Sequence, residues 1–408
     1  MIVCKKNIVN RRGEREQLNV YSSAAECKLT GEPHKIIKRG GKTLGYVGLT
    51  RDLDTPKASS KRVKIKDKVY VERKYLGKNT FYNYMQSKYP SSYKTITKIT
   101  SDMFNEDTSD SESVSNFFAG MSSLESDIQL DTRNCKYFVG TYEECNEIIE
   151  LSFLDTSKAK NTSRMYRSCY NVKNFPFIKT SSVVDFSAMY ANCKSATTFP
   201  ELDTSNGERF DIMYANCSSA MSFPQLDTRN GINFSQMYLG CSLATSFPLI
   251  NTSKGTDFSQ MYNECSSAMS FPQLDTRNGI NFDKMYRKCS SAKEFPNIDT
   301  SNANNLSGLY NQCSNALSFS ELNTSKCKDF SYLYYDCNKA KKVSDIDLFS
   351  ITEEDITKNN KLQLMLYNCN NLPSVTFNNV PVGITVEQMR TATSAPETCE
   401  IILNYRSE

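Results

Sequence analysis

Cysteine recurs in this 408-residue chain at a constant step of 24 residues. Thiolates bind metals and act as nucleophiles, so this series could do chemistry. Zinc sites need clustered ligands, however, and the sequence contains a single histidine, His34. The spacing therefore favours small, buried, apolar side chains over a metal or redox site. The series consists of Cys145, Cys169, Cys193, Cys217, Cys241, Cys265, Cys289, Cys313 and Cys337.

Tyrosine and aspartate recur at the same 24-residue step, and each could support a further kind of chemistry. A tyrosine row, from Tyr142 to Tyr334, could stack on bases or sugars, but its position beside Met and Phe favours core packing with the hydroxyl at the rim. The aspartates could hold Ca²⁺, but they lack the glycine-rich nonapeptide context of calcium-binding solenoids, so turn capping is favoured. They are Asp131, Asp155, Asp203, Asp227, Asp275 and Asp299.

Catalytic motifs are missing from the sequence. It contains no P-loop, no H-E-x-x-H, no G-x-S-x-G and no dinucleotide fingerprint in a strand–helix context. Carboxylates could meet across repeats, as in solenoid enzymes that cleave glycans, but any acidic chain contains such pairs by chance. The sequence therefore predicts a non-enzymatic protein with no catalytic residue, no cofactor and no metal.

The elements that position these residues are repeats with the consensus F-S-x-M-Y-x-x-C-S-S-A-x-S-F-P-x-L-D-T-S-N-G-x-x. The spacing of Phe, Met, Tyr and Cys predicts one face of a short helix. The A-x-S-F-P-x-L segment predicts a short strand, and D-T-S/R-N-G predicts a turn. An 18-residue identity between 217–234 and 265–282 spans two such units. The sequence predicts an α/β solenoid of 24-residue leucine-rich-like repeats, with a β-rich N-terminal domain and a C-terminal cap.

The repeat unit also carries a family resemblance. M-Y-x-x-C-S-S-A-x-S-F-P resembles the A-F-x-x-C-x-x-L-x-x-I-x-I-P unit of BspA-like leucine-rich repeats, and L-D-T-S-N-G-x-x-F-S-x-M-Y resembles their D-T-S-N-V-x-x-M-x-x-M-F variant. The resemblance covers residues 117–347. It implies a solenoid with a strand-lined face that serves adhesion or binds proteins or glycans. Similar repeats occur in phage-encoded structural proteins, which suggests a phage-encoded member. Ala replaces the usual Leu at the strand entry, and Phe replaces Ile.

The charge distribution divides the chain. Residues 1–100 carry 23 Lys and Arg against 8 Asp and Glu, whereas the remainder carries 26 against 37. This predicts a basic β-rich docking domain at 1–100, an acidic Ser-rich linker at 101–116, the solenoid at 117–347, and an irregular last repeat with a cap at 348–408. In the cap we expect a helix after Gly383 and a strand over 399–405.

The most basic stretch, 61–78, is the candidate docking face of the N-terminal domain. A dock on an acidic protein or a solvated strand face is favoured over a nucleic-acid contact. The candidate docking residues are Lys61, Arg62, Lys64, Lys66, Lys68, Arg73 and Lys74.

Ligand-binding positions are sought where the repeats differ. The position between Pro and Leu/Ile varies, and so does the position after the Thr, which places the candidates beside the predicted strands. The candidate binding residues are Glu201, Gln225, Arg229, Gln273, Arg277, Asn297 and Glu321.

The sequence also bears on the protein's setting. It shows no apolar segment long enough to span a membrane and no signal-peptide pattern. We expect a structural or binding protein of a phage virion, of the tail, baseplate or fibre type, held by residues 1–100 and contacting a host-surface protein or glycan through the solenoid. The alternatives are a BspA-like cell-surface adhesin and an intracellular scaffold, and self-association is left open.

Overall fold

A computed structural model describes residues 92–99, 108–109 and 111–407 with their side chains, together with the backbone of six N-terminal strands. The first four strands form an antiparallel sheet in the order β1-β2-β4-β3, and the last two form a hairpin. Six of the predicted docking residues lie on the backbone of these last two strands, namely Lys61, Arg62, Lys64, Lys68, Arg73 and Lys74, and Lys66 lies outside the described residues. Their side chains are outside the described part, so the docking role stays a prediction. The strands are β1 (Cys4–Val9), β2 (Arg15–Tyr21), β3 (His34–Arg39), β4 (Lys42–Gly48), β5 (Ser59–Ile65) and β6 (Lys68–Tyr75).

The repeats stack as coils joined by a parallel backbone ladder. In one coil the Phe210 amide donates to the Asn233 carbonyl at 3.1 Å, and the Tyr214 amide donates to the Met237 carbonyl at 2.9 Å. Single parallel bridges continue this pattern from Ser113 to Asn305 in steps of 24 residues. A repeat solenoid is therefore confirmed as the architecture.

The predicted short helix in each coil is wrong. The segment is a chain of tight turns in which the Met213 amide donates to Phe210 and the Cys217 amide to Tyr214, each to a carbonyl three residues earlier. Two residues per coil have a left-handed backbone, as at Ile212 (φ 62) and Asn216 (φ 58). An α-helix cannot form here because every second amide donates to the next coil instead of to its own turn.

The predicted strand in A-x-S-F-P-x-L is also largely absent from the coils that the structure describes. Among the described coils it is regular only toward the C-terminal end, in β7 (Ile346–Asp347) and in the strand over 374–380, neither of which has a proline at the consensus position. Proline lacks an amide hydrogen and cannot donate to a ladder. Side chains supply the link between coils in its place. The buried Thr228 hydroxyl, for example, donates to the Asn251 carbonyl of the next coil at 2.7 Å.

The core consists of rows of identical side chains, as the spacing predicted. Met213, Tyr214 and Cys217 are fully buried, and their equivalents in neighbouring coils lie directly over them. The Tyr214 and Tyr238 rings stack at 5.8 Å between centroids. From Cys169 to Cys337, each thiol of the row donates to a tyrosine carbonyl of the preceding coil, as Cys217 does to Tyr190 at 3.2 Å. The core assignment of the Cys and Tyr rows is therefore confirmed.

The tyrosine hydroxyls do not lie at the rim, so that part of the prediction is wrong. They are buried with the rings, as at Tyr214, whose ring packs against the half-buried Phe223 at 5.1 Å between ring centroids. Tyr142 donates to Asp127 at 2.5 Å, and Tyr310 bonds Ser320 at 2.8 Å. The hydroxyls that have no hydrogen-bond partner in the described protein belong to Tyr166, Tyr190, Tyr214, Tyr238, Tyr262, Tyr286 and Tyr334.

The solenoid begins earlier than the sequence predicted. A 3-10 helix (Tyr93–Thr95) buries Tyr93, and Lys98 forms a parallel bridge with Ser126. Val114 is 1% exposed, and its amide donates to the Tyr137 carbonyl at 3.0 Å. Residues 92–99 and 111–116 therefore pack with the first coil, although they were assigned to the docking domain and the linker.

The C-terminal end is closed by a cap. The insertion after β7 holds a short helix, α1 (Glu353–Thr357), and the ladder then resumes, with the Tyr334 amide donating to Met365 at 3.0 Å. A parallel sheet of order β7-β8-β9 follows. The predicted helix and strand of this cap are confirmed. The remaining elements are β8 (Ser374–Val380), α2 (Val386–Thr393) and β9 (Glu400–Tyr405).

Candidate ligand-binding groove

Outward side chains form a row along the extended segments of the coils. Leu226 and Thr228 are buried, whereas Gln225 and Arg229 are exposed and Asp227 is half-buried. This alternation is typical of an extended chain with one face on the core. Because the coils stack in register, each outward position lies over its equivalent in the next coil. We call this surface the variable row, and it contains positions 225, 227 and 229 and their equivalents at steps of 24.

A groove of about 770 Å³ crosses the variable row. Leu249, Asn251 and Ser253 line its floor, and the coils carrying Gln225 and Gln273 line its two sides. A neighbouring depression of about 470 Å³ shares Gln273 with it. Grooves of this size accommodate small ligands.

The structure brings most of the predicted binding residues together on this surface. Gln225, Gln273 and Arg277 line the groove, and Asn297 lines the neighbouring depression. Arg229 is exposed on the same segment as Gln225. Glu201 and Glu321 are exposed in other coils of the row and line neither hollow. The predicted set therefore divides into a groove group and two outlying carboxylates.

The two glutamines also connect coils. The Gln225 side-chain amide donates to the Leu249 carbonyl at 2.5 Å, and Gln273 donates to the Asn297 carbonyl at 2.5 Å. Because these bonds occupy the amide nitrogen, the side chains are held against the groove walls. The glutamines are thus structural residues as well as groove residues, which the sequence did not predict.

The two arginines are paired with aspartates of their own turns. Arg229 contacts Asp227 through Nε at 2.9 Å and through a second nitrogen at 2.5 Å, and Arg277 contacts Asp275 at 2.9 and 2.7 Å. The hydrogen bond from Arg229 lowers the pKa of the Asp227 carboxyl, so the pair is ionised at neutral pH. The groove lining therefore carries the charges of Asp227, Asp275 and Arg277, and Arg229 lies beside it, paired with Asp227.

The aspartates also cap the turns, as predicted. Asp227 accepts the Arg229 amide at 3.2 Å, and Asp203 accepts the Ser205 amide at 3.1 Å. Asn251 does the same for the Ser253 amide at 3.0 Å. A side-chain oxygen is what this position requires, and either Asp or Asn supplies it.

A third copy of the same arrangement was missed from the sequence. Asp131 pairs with Arg133 at 2.5 Å, and the Gln129 amide donates to the Phe153 carbonyl at 2.6 Å. The signal was present, because the hexapeptide QLDTRN occurs at 129–134 as well as at 225–230 and 273–278. The third copy lies four coils from the first groove wall.

The described thiols and the tyrosine hydroxyls of the buried rows are inaccessible. Burial raises the pKa of the Cys217 thiol well above its usual value, and it does the same for the Tyr214 hydroxyl. These groups stay protonated and cannot be nucleophiles. Within the described residues no three of His, Cys, Asp and Glu lie close enough to hold a metal ion, and no helix is long and apolar enough to cross a membrane.

Comparison with known proteins identifies the repeat type. A family model described as "Mycoplasma protein of unknown function, DUF285" matches four overlapping segments, residues 87–201, 171–273, 197–298 and 280–393. A search of curated proteins finds no match to this chain. The four segments span the described solenoid and much of its cap, well over half of the sequence, and their overlap supports a repeat array of the BspA-like kind. The chain therefore belongs to the DUF285 family of repeat proteins.

Proposed function

We propose that the chain is a non-enzymatic binding protein whose variable row contacts a macromolecular partner. The observation that carries this proposal is the difference between the buried and the outward-facing positions of each coil. Met, Tyr, Cys and Thr positions hardly change and are buried, whereas the row changes from coil to coil and faces outward. A surface that varies on a constant scaffold is typical of repeat proteins that bind partners.

Exposed apolar side chains in the row support a contact role. Phe153 and Phe177 occupy the same position in neighbouring coils and are 59% and 63% exposed. Large aromatic side chains that face water are enriched in interfaces, because burying them on a partner is favourable. We propose that this pair forms part of the contact.

For the place where the protein acts, we keep the proposals that were made from the sequence. A virion component docked through residues 1–100 is the first proposal, with a cell-surface adhesin and an intracellular scaffold as alternatives. An antibody to residues 1–100 is expected to label purified particles. Unlabelled particles, together with clipping of the chain by protease added to intact cells, would instead support the adhesin.

The binding role is tested with a matched pair of variants of the full chain. Saturable binding is measured to particles, intact cells and cytosol of the producing organism. We expect Phe153→Ser with Phe177→Ser to weaken binding at least tenfold. The control is Met221→Ser with Met269→Ser, which removes side chains that are 64% and 68% exposed at another repeat position. Equal losses in both variants, or no saturable binding by the parent chain, would contradict the proposal.

A further inference from the structure

The groove in the variable row has two equivalent walls. The coil of Gln225 and Asp227 lines one side, and the coil 48 residues later lines the other with Gln273, Asp275 and Arg277. Arg229, the equivalent of Arg277, lies beside the lining and is paired with Asp227. Between them lies Leu249, which is 63% exposed. Strands in a sheet lie ~4.8 Å apart, so walls two coils apart are separated by ~10 Å. The internal duplication therefore placed the same types of polar side chain on either side of Leu249, with Asn251 and Ser253 in the same middle coil.

The backbone of the floor is occupied by contacts between coils. The Leu249 carbonyl accepts the Gln225 amide, and the Asn251 carbonyl accepts the Thr228 hydroxyl. Both bonds run along the solenoid toward the preceding coil. A peptide laid in the groove would find these two carbonyls already engaged, so strand addition, which requires free backbone groups, is disfavoured. Recognition through side chains is favoured instead.

The charges of the walls disfavour an ionic ligand. Asp227 and Asp275 each neutralise the arginine of the same turn through two contacts. An anion would have to compete with these carboxylates for the guanidinium groups. A neutral ligand has no such competitor, and its hydroxyl groups can donate to the aspartate oxygens and accept from the arginine nitrogens.

We propose that this groove binds a neutral carbohydrate. The apolar face of a sugar ring packs on Leu249, and its hydroxyls bond the Asp227–Arg229 and Asp275–Arg277 pairs. The inference rests on the proposed binding function and names the ligand class for one part of the variable row. Every sugar hydroxyl both donates and accepts, which matches walls that offer acceptors and donors side by side.

The test applies the full chain to an array of neutral, sialylated and sulfated oligosaccharides. We expect neutral glycans to be retained, and Asp227→Asn with Asp275→Asn to weaken that retention at least tenfold. Asn occupies the same position at Asn251 and still accepts the turn amide, so these variants are expected to fold, which an unchanged thermal melt verifies. Asp131→Asn changes the same type of pair four coils away and serves as the matched control.

Several results would overturn the carbohydrate site. They are retention of anionic glycans alone, retention of no glycan, and an equal loss in the Asp131→Asn control. If the chain ignores neutral glycans but still binds cells or particles through Phe153 and Phe177, only the groove proposal fails. A chain that binds no glycan and no cell, particle or cytosol fraction contradicts the proposed function itself.

Discussion

At the scale of single residues, the buried tyrosines fall into two classes. Tyr238 is fully buried, and its hydroxyl has no partner in the described protein. Tyr310 is equally buried but bonds the Ser320 hydroxyl at 2.8 Å. An unsatisfied buried polar group costs ~1–3 kcal/mol, whereas a satisfied one contributes ~1 kcal/mol. The two rings stack in the same way. Any difference between the two tyrosines in their effect on stability is therefore expected to come from the hydroxyl groups.

The substitution Tyr238→Phe is therefore expected to leave the free energy of unfolding unchanged or to raise it by ~1 kcal/mol. Tyr310→Phe is expected to lower it by ~1 kcal/mol, because it leaves Ser320 without its partner. Urea unfolding followed by circular dichroism measures both. A loss at Tyr238 as large as that at Tyr310 would show that the Tyr238 hydroxyl is satisfied.

At the scale of the repeated element, stability depends on two left-handed residues per coil. The first is Ile212 in one coil, Gln236 in the next and Gly308 in a later one, all with φ between 56 and 62. The left-handed conformation costs a residue with a Cβ ~1–2 kcal/mol, which glycine avoids. The array nevertheless places glycine at only a few of these positions. Each coil thus bears a conformational cost that the ladder offsets.

We expect Gln236→Gly to stabilise the chain by ~0.5–1 kcal/mol, because the gain at φ 56 exceeds the entropy that glycine adds to the unfolded state. The matched control is Ser235→Gly. Ser235 is adjacent but lacks a positive φ, so glycine there is expected to destabilise by ~0.5–1 kcal/mol. Denaturant midpoints of the two variants should move in opposite directions, and a shift in the same direction would refute the assignment.

At the scale of the whole molecule, the stacked thiols tie stability to pH. Burial raises the pKa of Cys135, Cys327 and Cys369 to about 12, and it also raises the pKa of central thiols such as Cys217 well above its usual value. The folded chain therefore keeps these protons at a pH where the unfolded chain releases them. Their contribution to stability is complete below the unfolded thiol pKa of ~8.5 and falls as pH rises above it.

Each buried thiol is expected to remove ~1.4 kcal/mol of stability per pH unit above ~8.5. Because many thiols act together, alkaline unfolding should be steep. Urea midpoints measured under reducing conditions between pH 7 and pH 10 follow the loss. Cys217→Ala with Cys241→Ala should make the slope shallower by the share of two thiols. An unchanged slope would contradict burial of the neutral thiols.

Particular residues show how far the sequence predicts this fold and this site. The 24-residue step of Cys217 and Tyr214 predicted their burial, because only a stacked repeat gives identical residues identical environments. The helix was predicted wrongly because consecutive tight turns also place Phe, Met, Tyr and Cys on one face. The pairing of Arg229 with Asp227 was not foreseen, although the two lie only two residues apart.

The sequence by itself determined the repeat length, the rows of buried residues, the turn-capping aspartates and the place of the variable row. These follow from spacing and from local backbone chemistry, which are properties of the chain alone. Only the tertiary structure decided where each backbone amide donates. Because the Tyr214 amide reaches Met237 in the next coil, 23 residues away, tight turns replace a helix. The same stacking sets the twin walls on either side of Leu249, since a groove exists only between coils.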